Sequence, residues 1–214
     1  MRLYASIYVF AFILLTAVAF ILPYYSEEGM TILGNSISDL GAQQTNRSWV
    51  INFSIAFMSI ATLVFGSYAL KRHSIQLAAL YFFCVSFGMT GIFKSAGLNE
   101  LIHYNYTYDA LHFLFYEISG IAFAVLCISL FFKIDKKVHK FQTIVVFLVV
   151  VALSLVPFQF SEYQGIFHRL IFIVTLGWLF YAFTCYSFKV KTTHYFNRIS
   201  QYQKFKKNLS KNEE

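Results

Sequence analysis

The chain predicts an all-α fold: a polytopic membrane helix bundle of six transmembrane helices with both termini cytoplasmic. Three observations carry that reading. Hydrophobic residues make up 58% of the 214 residues and charged residues only 13%, with two prolines. A water-soluble domain of this size has too little interior to hide so much apolar surface. Apolar runs of about 20 residues recur, the length of helix that crosses a hydrocarbon core of roughly 30 Å. Of the seventeen Lys and Arg, fourteen fall in segments facing one side, whereas seven of the ten carboxylates face the other. The runs are continuously apolar and lack period-two alternation, which excludes a transmembrane β-barrel.

The first run, about 4–23, follows Arg2 and ends Ala17-Val18-Ala19-Phe20-Ile21-Leu22. It has the outline of a signal peptide, but the apolar residues continue past the small ones, so it reads as a retained helix. The connection Tyr24–Ser48 contains Ile32-Leu33-Gly34-Asn35-Ser36-Ile37-Ser38-Asp39-Leu40-Gly41-Ala42, too short to span and too apolar for a solvated loop. Ser36 or Ser38 suits the N-cap of a short helix, and Gly34 and Gly41 suit turns. The segment is expected to lie interfacially or re-enter over the bundle mouth, which is permitted where protein covers the backbone.

Spans at about 49–70 and 74–93 follow, joined by the basic turn Lys71-Arg72. The connection 94–108 is rich in Asn and Tyr, as suits a membrane interface. Spans at about 109–132 and 141–158 flank Lys133, Lys136, Lys137 and Lys140, and a tight connection leads to the last span, 165–188. Residues 1–188 thus form one six-helix domain, and 189–214 a basic tail. In that tail Phe196, Ile199, Tyr202, Phe205 and Leu209 recur every three or four residues. This is the pattern of an amphipathic helix on the anionic inner leaflet, a solvated tail being the alternative.

Only Arg47, Lys94 and Arg169 lie on the carboxylate-rich side. The positive-inside rule then places both termini in the cytoplasm of a multi-pass cell-membrane protein, and an even number of spans requires the same. The net charge of +7 is accordingly read as attraction to membrane lipids, with no nucleic-acid partner. Nothing in the chain specifies an oligomeric state. Cys84, Cys127 and Cys185 all fall inside spans and read as apolar thiols. There is no internal repeat of the kind inverted-repeat transporters carry, and no Walker, Rossmann, kinase or G-x-S-x-G motif.

The groups able to do chemistry gather at the carboxylate-rich end. Glu117 lies eight residues into its span, about 12 Å down the helix. A charge at such depth costs roughly 2.5–3.5 kcal/mol, so it is expected to face the bundle interior, paired with Arg169 or protonated. Asp109 and His112 are one turn apart and Tyr116 follows at i+4, which puts them on one face. Asp109 is suited to hold the His112 tautomer, as beside metal-binding and general-base histidines; the alternative is a helix N-cap beside an interfacial His. On the last span Gln164 and His168 stack at i, i+4. Arg169 there can snorkel outward or hold an anionic headgroup. Asp39, His112 and His168 together would make a two-His, one-carboxylate site suited to zinc, although no pair has the spacing of a strong zinc motif.

Ser38-x-Leu40-Gly41-Ala42, Trp49-x-x-Asn52, His112, Gly120, Gly165-x-x-x-Arg169 and Trp178 together resemble a bacterial and archaeal family of six-helix integral membrane proteins catalogued as a domain of unknown function. The resemblance covers the chain to about Phe188 and implies the six-helix architecture. It draws attention to Ser38, His112 and Arg169 and supplies no activity. A Gln or Glu commonly precedes the Arg in that family, where this chain has His168.

Two functional readings follow. In the first the protein is a lipid-directed hydrolase or transferase, with Asp109, His112 and Glu117 catalytic and Ser38, Gln164 and Arg169 binding substrate. In the second it is a non-catalytic lipid or small-molecule binder, sensor or accessory protein. A proton-coupled carrier using Glu117 is a third and weaker reading.

Overall fold

A computed structural model describes residues 2–97, 103–156 and 159–185. The tail 189–214, with its amphipathic pattern, lies outside the described residues, as do the last residues of the two final apolar runs. Every regular element among the described residues is helical. They are α1 (Arg2–Ile21), α2 (Ile37–Leu40), α3 (Ser48–Leu70), α4 (Ser74–Ile92), α5 (Tyr106–Lys133), α6 (Lys137–Leu155) and α7, the helix within the span Ser161–Cys185. All but α2 belong to segments long and apolar enough to cross a membrane.

Local chemistry moves the helix ends away from the ends of the apolar runs. α5 starts three residues before Asp109 because the Asn105 side chain caps it, accepting the Tyr108 N–H at 3.1 Å. α1 passes at Leu22 into a tighter 3-10 turn carrying Pro23. α4 stops at Ile92, where Phe93 turns extended.

The long helices are apolar nearly all round, so hydrophobicity alone does not mark their buried faces. In lipid the discriminating forces are close packing and satisfied polar groups. α3 is central and buries thirteen of its 23 residues, whereas α6 buries only Thr143. The seam between α3 and α4 is lined by small residues. A Cβ on Gly91 would lie 2.9 Å from the Asn52 carbonyl oxygen, and one on Gly88 would lie 3.0 Å from Ser59 Oγ. Ser59 donates to the Cys84 carbonyl across this seam at 2.5 Å. Thr62 and Thr90 return their hydroxyls to carbonyls of their own helices. Near the chain start, Tyr8 is buried among Phe65, Phe180 and Phe183 and donates to the Leu176 carbonyl at 2.6 Å.

At the opposite end, the first connection folds over the bundle mouth. Buried Ile37, Leu40 and Ala42 anchor it, and Asn52 Nδ2 on α3 donates to the Gly41 carbonyl at 3.0 Å. Gln43 joins it to the third connection: its backbone N–H reaches the Ser95 carbonyl at 2.9 Å, and its side chain bridges Lys94 and Asn105. On the other flank the carbonyls of Ile32, Leu33 and Asn35 turn toward the start of α7. There Gly165 N–H donates to Leu33 at 2.7 Å. Backbone groups of Ile32, Leu33, Asn35, Ser38, Gly41 and Gln43 are thus paired with protein, as irregular chain at a bundle mouth requires.

Candidate functional site

α2 is a single turn held by a capping box. Ser36 Oγ accepts the Asp39 N–H at 3.1 Å, and Asp39 Oδ2 accepts the Ser36 N–H at 2.7 Å. That turn presents Ser38, half-buried, toward α5. There Ser38 Oγ lies 3.1 Å from Nε2 of His112, which is buried.

The other ring nitrogen fixes the proton. His112 Nδ1 lies 2.8 Å from the Phe93 carbonyl oxygen and 3.1 Å from that of Thr90. Carbonyl oxygens only accept, so Nδ1 carries the hydrogen and Nε2 presents its lone pair to the Ser38 hydroxyl. Those two carbonyls are at the C-terminal end of α4, where the last turn leaves its oxygens without intrahelical partners and the helix dipole is negative. Ser38 and His112 thus form a hydrogen-bonded pair, with the imidazole oriented by carbonyls at a helix end.

Asp109 does not hold His112 as the sequence suggests. Its Oδ1 accepts the Ala96 N–H at 2.6 Å and fastens the third connection, while the end of α4 supplies the acceptors for Nδ1. Glu117 also departs from expectation, being exposed on the surface of α5. The buried face of α5 is set by Ala122, Leu126 and Leu130, and at 100° per residue Glu117 lies about 180° around the helix from Leu126.

His168, half-buried, stacks on the Tyr116 ring at 6.1 Å. Asp39 is near enough to act on both His168 and Arg169 through its charge. Asp39, His112 and His168 do not gather as ligands: among the described residues no group of three His, Cys, Asp or Glu is placed to hold a metal ion. Gln164 stands half-buried one turn before His168.

Arg169 is almost completely buried, at 1% exposure. Its Nε donates to the Ala19 carbonyl at 2.9 Å, and its Nη1 reaches the carbonyls of Ile32, Asn35 and Gly165 at 2.7–2.8 Å. Nη2 has no partner among the described residues. Gly165 makes the approach possible, since a Cβ there would lie 2.5 Å from the Ile32 oxygen and 2.7 Å from the Leu33 oxygen. The Gly165-x-x-x-Arg169 pair therefore clamps the first connection to α1 and α7 and thereby holds Ser38 in place. Motifs in the sequence mark Ser38, His112 and Arg169. The carbonyls of Thr90 and Phe93 carry no side-chain signature and emerge only from the fold.

A family model described as Protein of unknown function (DUF998) matches residues 9–184. No curated protein and no solved structure matches the chain.

Proposed function

The chain belongs to the DUF998 family, and from its geometry we propose that it is a membrane-embedded serine hydrolase or acyl transferase acting on lipid esters. The observation that carries this reading is the Ser38 Oγ to His112 Nε2 contact of 3.1 Å, with Nδ1 occupied by two carbonyls. The asymmetry of basic residues supports a mouth on the extracytoplasmic side, within reach of outer-leaflet lipid.

In this mechanism the Ser38 hydroxyl attacks an ester carbonyl while His112 Nε2 takes its proton. The resulting imidazolium is stabilised through Nδ1–H by the Thr90 and Phe93 carbonyls at the negative end of α4. His112 then protonates the departing alcohol, leaving an acyl group on Ser38. Water completes a hydrolysis, or a second alcohol a transfer, with His112 again acting as base.

The test is labelling of the purified protein by a fluorophosphonate probe. Label is expected on Ser38 in the wild type and absent in Ser38→Ala. It should survive in Ser36→Ala and be slowed about 10²–10⁴-fold in His112→Gln. A folded wild type that takes no label, or a Ser38→Ala variant that labels equally, would overturn the reading. The second reading is a non-catalytic lipid binder in which Ser38 and His112 act only as a staple. Its support is the dense tethering of the first connection through Gln43, Asn52 and Arg169, and it predicts no label.

A further inference from the structure

We infer that α5 carries the contact face of a homodimer, in which Glu117 of two copies pair side by side within the membrane. The inference is independent of the Ser38 chemistry. His112 is bonded through its ring to the last turn of α4, so α4 and α5 are level there. Glu117 lies five residues further along α5, about 7–8 Å below that turn. It therefore runs alongside α4, whose 19 residues cover about 28 Å. Glu117 is exposed, and no hydrogen bond or ion pair reaches its carboxyl among the described residues. Phe113, Leu114, Ile121 and Val125 around it are exposed too, so this side of the single chain meets lipid. A polar group turned to hydrocarbon is costly, and in membrane proteins a second polar group covers it.

The geometry favours a second copy as that cover. Insertion fixes both depth and direction, so a two-fold axis along the membrane normal sets each residue of α5 level with its own counterpart. A carboxyl bearing its hydrogen is self-complementary, giving one bond and taking another. The Lys and Arg of the described helices stand at the helix ends, apart from buried Arg169, so the chain offers Glu117 no cation of its own. Beside Glu117 the helix is also open to close approach. Gly120 is exposed, and a Cβ there would meet nothing within 4 Å. Ala124 follows it at i+4, a spacing of small residues that lets two helix backbones come together. Phe113, Glu117, Gly120, Ala124 and Ile128 fall on one strip about 80° wide, the width of a helix–helix seam.

The test is the oligomeric state of the purified full-length protein, by sedimentation equilibrium over a range of protein-to-detergent ratios. The wild type is expected to dimerise reversibly. Glu117→Leu should weaken the dimer by about tenfold or more. Glu117→Gln, whose amide also gives and takes a hydrogen bond, should stay within about threefold of the wild type. Gly120→Ile adds bulk where the single chain has open space. It should weaken the dimer by about tenfold or more and leave helical circular dichroism unchanged. In isolated membranes, oxidation should link Phe113→Cys into a dimer and leave Ile92→Cys, exposed at the same level on α4, at the wild-type background. A monomeric wild type, wild-type dimerisation in both Glu117→Leu and Gly120→Ile, or equal linking of Ile92→Cys would overturn the proposal. Equal loss in Glu117→Gln and Glu117→Leu would also overturn it, in favour of a different partner that brings a cation.

Discussion

Arg169 and Gly165 share one turn of α7 and fasten the same strip of chain by different means, one by donating hydrogens and the other by having no side chain. Gly165→Ala would push a Cβ into backbone carbonyls, which yield poorly. A loss of about 1–3 kcal/mol is expected, read as a lower melting temperature in detergent. Arg169→Met leaves four carbonyls without their shared donor and should cost at least about 3 kcal/mol. Arg169→Lys, which keeps the charge and loses the planar fork, should recover only part of it. His73 behaves differently. It precedes α4 in the turn after α3, and burial, aided by Lys133, lowers its pKa from 6.5. The unfolded chain therefore binds the proton more readily, so this contribution to stability is present above about pH 6.5 and declines as pH falls below it. His73→Gln should remove that small acid-side decline from a thermal-shift profile. Among single residues, short motifs drew attention to Ser38, His112 and Arg169. The sequence suggested, however, that Arg169 snorkels outward, pairs with Glu117 or holds a headgroup, whereas it is buried and donates to backbone carbonyls. The partnerships of these residues were not legible. Ser38 and His112 are 74 positions apart, and the groups that orient His112 are backbone atoms of α4.

At the scale of elements, α3 and α4 meet through glycines while α5 presents one to open space. Gly91→Ala would drive a Cβ to 2.9 Å from the Asn52 carbonyl oxygen, whereas a Cβ on Gly120 would meet nothing within 4 Å. The first should lower thermal stability by about 1–3 kcal/mol; the second should be neutral or raise it by up to about 1 kcal/mol through helix propensity. Parallel melting curves of the two variants would decide the matter. The six long helices were legible from length and hydropathy alone, since a span has one dominant requirement. Which face each helix buries was not, because the faces are equally apolar and the choice falls to small residues and hydroxyls. Glu117 illustrates this: the cost of one charge argued for the interior, but Ala122, Leu126 and Leu130 set the rotation of α5 and left it outside.

For the whole molecule, the two ends of the bundle are built differently. The end where the chain starts is an aromatic core around Tyr8, and the far end is a polar lattice of loops around Ser38 and His112. The lattice is joined over long stretches of chain. Arg169 reaches Ala19, Ile32 and Asn35 across 150, 137 and 134 positions. Those bonds have a consequence for biosynthesis. A ribosome delivers the first connection well over a hundred residues before the helix that carries Arg169, so during most of translation this strip lacks that clamp and has only its ties to α3 and the third connection. The tethering of the first connection is complete only when the last helix has packed against it. A chain halted before residue 161 should leave the Thr31–Asn35 turn open to added protease, and the finished protein should resist. Arg169 would then serve as the latch that closes last, fixing the first connection only when assembly is complete.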